Sequence, residues 1–149
     1  MKPLNLLFLG DSYTIGEGLP DHQRWPELWA RVLQANEWEV NDPRVVAQTG
    51  WTTRDLIEAL DGHPAAEARF DLVTLLIGVN NQYQGRSLEE YASDYEELVG
   101  FALGRAGGRA DGVYGISIPD WGRSPFGAQR DPKRISGEID AFNRVACKV

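Results

Sequence analysis

The sequence predicts a three-layer α/β fold, a parallel sheet with helices on both faces. Three observations carry that prediction. Two short, nearly all-apolar runs, residues 4–9 (LNLLFL) and 71–77 (DLVTLLI), each stop at a glycine, as strands buried on both faces do. Weaker strands at 45–47 and 113–118 alternate with segments of helical periodicity, and that alternation builds a parallel sheet through crossover connections. The 149 residues, 42% hydrophobic and 25% charged, suit a single domain, 1–149, with a core of its own.

Each element has a local reason. Residues 4–9 form the first strand, ended by Gly10-Asp11-Ser12. Residues 23–34 form a helix, because Trp25, Leu28, Trp29, Val32 and Leu33 recur at i, i+3, i+4, i+7 and i+8. Pro26 sits in its first turn, where a missing N–H is harmless. Val45-Val46-Ala47 is a short strand closing at Thr49-Gly50. Thr52 then caps a helix, with Asp55 three residues on. Residues 71–77 make the second strong strand, stopped by Gly78. Ser87 and Glu90 supply the two side chains of a capping box for a helix reaching about Leu103, before Gly104. Residues 113–118 (VYGISI) form a further strand ending at Pro119. A long Pro- and Gly-containing loop covers 119–134, and a last amphipathic helix, 135–145, presents Ile135, Ile139, Phe142 and Val145 on one face.

Composition excludes several classes. Fifteen Lys and Arg against 22 Asp and Glu leave a net charge of −7, which argues against a nucleic-acid partner, since phosphate neutralisation needs clustered cations. The charge is uneven: residues 121–149 carry +3 and the remainder −10. That segment reads either as a solvated basic face or as a surface for an acidic substrate or a second molecule. The single cysteine, Cys147, excludes an internal disulfide. His22 and His63 lack a CxxC or HExxH setting, so a standard zinc site is not expected. No apolar run reaches the roughly 18 residues that span a bilayer. Residues 4–9 are too short for a signal-peptide core and no cleavage site follows, so a cytoplasmic location is expected.

In a parallel sheet the functional site lies at the C-terminal ends of the strands. Four segments converge there: Gly10-Asp11-Ser12, Thr49-Gly50-Trp51, Gly78-Val79-Asn80-Asn81 and Ile118-Pro119-Asp120-Trp121-Gly122. Phe8-Leu9-Gly10-Asp11-Ser12-Tyr13-Thr14 resembles the first block of the SGNH hydrolases, the GDSL family of esterases and lipases. Gly50 matches the second block, and Gly78-Val79-Asn80-Asn81 resembles the third, usually Gly-x-Asn-Asp. The three blocks stand in the family's order, each at the end of a predicted strand, and the resemblance covers nearly the whole chain.

The resemblance implies a flavodoxin-like architecture and ester hydrolysis without a cofactor. Ser12 would be the nucleophile. The N–H groups of Ser12 and Gly50 and the side-chain amide of Asn80 would form an oxyanion hole. Such donors stabilise the charge of a tetrahedral intermediate, and losing one typically costs about 2.7–4 kcal/mol of barrier. Gly50 allows close backbone approach, and Asn80 supplies an N–H donor that Asp or Leu lacks. Plainer readings stand beside these: Ser12 as a helix cap, Gly50 as a turn glycine, Asn80 as a turn residue bonding its own backbone. Asp11 reads as a local hydrogen-bonding residue beside the substrate site, and Asn81 as structural. Trp51, Tyr83, Trp121 and Phe126 are expected either to line an acyl or alcohol pocket or to pack in the core.

The family's base and its orienting acid come from an Asp-x-x-His block near the C-terminus. Here Asp140 is followed at that spacing by Asn143. Asp61-Gly62-His63-Pro64 is one residue too short and lies between the second and third strands, so His63 reads as a turn histidine and His22 as a surface residue. A serine nucleophile needs a base within reach. The expectation is therefore a hydrolase scaffold that ends early, with activity supplied by a partner chain or lost in favour of ligand binding. A scaffold lacking its last strand and helix would expose a sheet edge and an apolar helix face, favouring homo-oligomers.

Overall fold

The computed structural model describes residues 2–149. Four parallel strands, β1 (Leu6–Gly10), β2 (Arg44–Ala47), β3 (Leu72–Leu76) and β4 (Val113–Gly115), lie in the order β2-β1-β3-β4. The register pairs Leu9 with Val46 on one side and Leu75 on the other, and Leu75 with Gly115. Every residue of β1 is buried, as its unbroken apolar run requires. Strand alternation splits it between two cores. Leu7 and Leu9 join Val73, Leu75 and Ile77 in the main core, while Leu6 and Phe8 face the other way.

Helices cover the two faces unequally. Helices α3 (Thr53–Leu60), α5 (Leu88–Arg105) and α7 (Pro132–Ala146) bury Leu56, Leu98, Ile135, Ile139 and Phe142 in the main core. Only α2 (Trp25–Ala35) covers Leu6 and Phe8, with the Phe8 and Trp25 rings edge to face at 5.1 Å. The buried stripe of α2 is rotated from the one expected. Pro26 and Ala30 are inside, whereas Leu28 and Val32 are 45% and 59% exposed. At about 100° per residue, Trp25, Trp29, Leu33, Pro26 and Ala30 share one arc, and Leu28 and Val32 fall on its flank.

Thr52 and Asp55 form the complete capping box, with Thr52 N–H donating to Asp55 Oδ2 (2.8 Å) and Asp55 N–H to Thr52 Oγ1 (3.3 Å). The Thr52 hydroxyl and backbone N–H hold the Asp55 carboxyl below the usual range. At α5 the box is half made. Ser87 Oγ accepts from Glu90 N–H (3.1 Å), but the Glu90 carboxylate turns to Arg86 (2.7 Å). The helix continues one residue beyond Gly104.

The largest departures from the expected boundaries lie in the C-terminal third. β4 ends at Gly115, after which Ile116 N–H still donates to Leu75 O (2.9 Å) before the chain leaves the sheet. Asn143 on α7 holds the departing chain, accepting from Ile118 N–H (2.8 Å) and donating to Ile118 O (3.0 Å). Residues 119–134 are largely ordered into a 3-10 turn, Trp121–Arg123, a short helix α6 (Pro125–Ala128), and the first turn of α7. That turn starts at Pro132, capped by Asp131. It is exposed, so the apolar pattern marks α7 only from Ile135 onward.

The apolar face of α7 is buried, while α2 leaves Leu28 and Val32 exposed. β4 forms one outer edge of the sheet, where Tyr114 is 47% exposed and packs edge to face on Trp29. Among the described residues no helix is long and apolar enough to cross a membrane.

Candidate active site

The first segment of the site follows from a close approach. A Cβ at Gly10 would lie 2.1 Å from Thr14 Oγ1 and 2.4 Å from Leu76 O, so only glycine lets β1 turn directly into the short helix α1 (Ser12–Ile15). Asp11 caps α1, its Oδ1 accepting from Tyr13 N–H (3.0 Å). Its side chain points inward and is 1% exposed, and Oδ2 has no hydrogen-bond partner among the described residues. Burial raises the Asp11 carboxyl to about 6, against the opposing pull of the Tyr13 N–H. Burial, then repulsion from Asp11, pushes the Tyr13 phenol up as well. Because Asp11 does the capping, the Ser12 hydroxyl is left at the surface of a groove.

The third segment is built on Gly78, at φ +130°, where a Cβ would lie 2.6 Å from Tyr91 Cε2 and 2.8 Å from Ile118 Cδ1. It begins the short helix α4 (Val79–Tyr83). Asn80 Nδ2 donates one hydrogen to Trp51 O (2.8 Å), and a primary amide carries a second. Asn81 is fully buried. It accepts from Thr53 N–H (3.0 Å) and donates to Thr53 Oγ1 (2.8 Å), while the Thr53 hydroxyl donates to Asp94 Oδ2 (2.8 Å). Arg54 pairs with the other Asp94 oxygen. The second and third segments are thus locked together beneath the surface.

An open groove of about 410 Å³ brings Ser12, Asn80, Tyr83, Trp121 and Phe126 together. Tyr83, Trp121 and Phe126 form a row with ring centroids 5.7 and 5.8 Å apart. Trp121 is fixed by its Nε1–H donating to Gln82 Oε1 (2.8 Å), and Gln82 Nε2 donates to Glu138 (2.6 Å). Asp120 steadies the same wall, accepting from Gly122 N–H, Arg123 Nε and Ser136 Oγ (3.0, 3.0 and 2.7 Å).

Three expected residues do not line the groove. Asp11 is turned inward by its capping bond. The Trp51 side chain packs against the main core, and only its carbonyl reaches Asn80. Gly50 is exposed at φ +85°, in open space where a Cβ would meet nothing within 4 Å. It belongs to the loop that Asn80 grips through Trp51. Conversely, Tyr13, Val79, Pro119, Asp120 and Ser124 line the groove and Gln82 anchors its wall. The sequence signal for most of these was adjacency to a strand end. For Gln82 there was none, because its partners are 39 and 56 residues away.

A model of the GDSL-like lipase/acylhydrolase family matches residues 8–149. The chain belongs to this family. The matched range contains the Ser12, Gly50 and Gly78–Asn81 segments just described. TesA shares 25% identity, with 95% of this chain and 69% of that one aligned at a TM-score of 0.64. The lipase/acylhydrolase of Enterococcus faecalis is 22% identical over 97% and 72% of the two chains (TM-score 0.64). AlinE4, an SGNH-hydrolase family esterase, is 18% identical over 99% and 74% (TM-score 0.64). No curated protein sequence matches significantly.

Neither histidine lines the groove of this GDSL-like chain. His63 caps a turn, its Nδ1 accepting from Ala65 N–H (3.0 Å). It follows α3, which runs away from the C-terminal edge of the sheet, so it lies at the edge opposite Ser12. His22 is exposed, and its side-chain partner among the described residues is Gln23. Asp140 is exposed, and Asn143 is committed to Ile118.

Proposed function

We propose that this chain is a serine ester hydrolase in which Ser12 is the nucleophile and Asn80, with the N–H group of Ser12, stabilises the oxyanion. The observation that carries the reading is the Ser12–Asn80 groove, in which Asn80 has one amide hydrogen fixed on Trp51 and a second available to a ligand. Ser12 Oγ would attack the ester carbonyl carbon, and its proton would pass through a base to the departing alkoxide. Water would then cleave the acyl-enzyme and restore the hydroxyl. The substrate is a small neutral or charged ester whose acyl or alcohol part lies along Tyr83, Trp121 and Phe126.

A second reading is a module that holds acyl groups or esters without turning them over. It is favoured by the absence of an imidazole from the groove among the described residues. The experiment that separates them is p-nitrophenyl acetate hydrolysis by the 149-residue chain beside Ser12→Ala, with fluorophosphonate labelling in parallel. Turnover and stoichiometric labelling that both vanish in Ser12→Ala support the hydrolase. Equal rates in the two chains, with ester binding but no labelling, overturn it in favour of the binding module.

A further inference from the structure

A second groove, about 590 Å³, adjoins the Ser12 groove and shares Tyr83 and Trp121 with it as a common wall. Its character differs. Arg86, Arg130 and Arg134 stand around it, against the single carboxylate of Glu138. That carboxylate is engaged at both oxygens, by Arg134 (3.0 Å) and by Gln82 (2.6 Å). Arg86 is paired with Glu90 (2.7 Å). Arg130 has no carboxylate in ion-pair reach among the described residues. Its guanidinium lies 4.3 Å over the ring of Phe126, which itself lines the Ser12 groove. The cation therefore sits where the two grooves meet, held by an aromatic face that leaves its five N–H donors for another partner. Arg134 also reaches Asp131 (3.9 Å), so Arg86 and Arg134 are each matched by carboxylates, and Arg130 is the cation of this groove that has none among the described residues.

We propose that this second groove is an anion subsite, and that the favoured substrates are esters carrying a carboxylate or phosphate remote from the scissile bond. The ester would lie at Ser12 and Asn80, its linker along Trp121, and its anion against Arg130 with support from Arg134. The proposal deepens the ester-hydrolase reading and rests on it for the orientation of the substrate. It gives a use to the basic C-terminal segment, which a merely solvated face would not have.

The test uses the Ser12→Ala chain, so that nothing is turned over, and the indole N–H of Trp121 and the Nε–H of Arg130 as nuclear magnetic resonance reporters. Monoethyl adipate and monoethyl suberate are titrated beside the same esters with the carboxylate replaced by a carboxamide. A charge-assisted contact predicts about tenfold tighter binding of the acids, with shifts at both reporters and weakening as salt is added. The preference falls to within about twofold in Arg130→Gln combined with Arg134→Gln. It persists in the control Arg31→Gln. Equal binding of acid and amide, or a preference that survives loss of both arginines, overturns the proposal. Fluorophosphonate labelling of the chain with Ser12 intact keeps the two ideas apart. Labelling without anion preference removes the subsite alone, and anion preference without labelling removes the hydrolase reading alone.

Discussion

Replacing Asn81 by Asp, the residue usual at this place in the family's third block, should destabilise the chain in a pH-dependent way. The Thr53 hydroxyl has one proton and gives it to Asp94 Oδ2, so its lone pair needs a donor, which Asn81 Nδ2 supplies at 2.8 Å. A carboxylate at position 81 would offer none, and would place a second negative charge around one buried hydroxyl. The isosteric escape is to bind a proton, which restores the donor. At pH 7 that proton is taken up about three units above the ordinary Asp pKa, at about 4 kcal/mol. This is an upper limit, because the ionised alternative is adopted only if it costs less. The sign follows from a folded-state pKa raised above the unfolded one. Asn81→Asp matches the parent below about pH 4 and loses about 1.4 kcal/mol per unit as pH rises toward 7. For a domain of this size the loss at pH 7 corresponds to roughly 8–16 °C in melting temperature. Urea unfolding followed by tryptophan fluorescence, for both chains between pH 5 and 7.5, reads the difference. A penalty below about 1 kcal/mol at pH 7, or one that does not change with pH, would refute the proton accounting of the Thr53–Asn81–Asp94 network.

Three further outcomes are expected. Asn80→Ala should lower ester turnover about 10²–10³-fold, with a melting temperature only about 2–4 °C lower from loss of its single part-buried bond to Trp51; a turnover loss below about tenfold would remove it from the oxyanion hole. Gly78→Ala should cost about 3 kcal/mol or more through backbone strain and collision with Tyr91 and Ile118, and a thermal melt within a degree or two of the parent would show that the segment relaxes freely. The Asp11 carboxyl is raised to about 6, so its contribution to stability is fully present below about pH 4 and is lost as pH rises through 6. Asp11→Asn lacks that loss and should gain up to about 3 kcal/mol on the parent over this range; urea midpoints that run parallel from pH 4 to 7 would contradict it.

The buried strands were readable because their apolar runs are unbroken, and the helix starts because Thr52 and Ser87 are capping residues in place. Alternation of strands and helices sufficed for a parallel sheet, and the three blocks sufficed to bring Ser12 and Asn80 to one edge. What escaped the sequence depends on geometry that periodicity does not encode. The rotation of α2 is set by the narrow strip of sheet it covers, so Pro26 and Ala30 displaced Leu28 and Val32. The first turn of α7 is polar and looks like loop until Asp131 is seen to cap it. Asp11 and Trp51 belong to site segments by sequence yet face the interior, because one caps a helix and the other offers its carbonyl to Asn80. The Gln82–Trp121 and Asn143–Ile118 bonds join residues 39 and 25 apart, and no local pattern announces either.

The wall opposite Ser12 is drawn from one continuous stretch of chain between Ile118 and Glu138, tied down by Asp120, Gln82 and Asn143. Ser12 and Asn80 stand on separate strand ends outside this stretch, and Gln82, on the same short helix as Asn80, joins the two parts through Trp121 and Glu138. Wall residues away from those bonds, such as Phe126, can vary without touching the segments that carry Ser12 and Asn80. Exchange of residues in the wall reshapes what the groove admits while the pieces around Ser12 keep their positions, so ligand range in this scaffold is a property that can drift in small steps. The bonds that hold the wall also fix its shape before any ligand arrives. A ligand meets a formed surface, and little ordering of the chain is subtracted from its affinity.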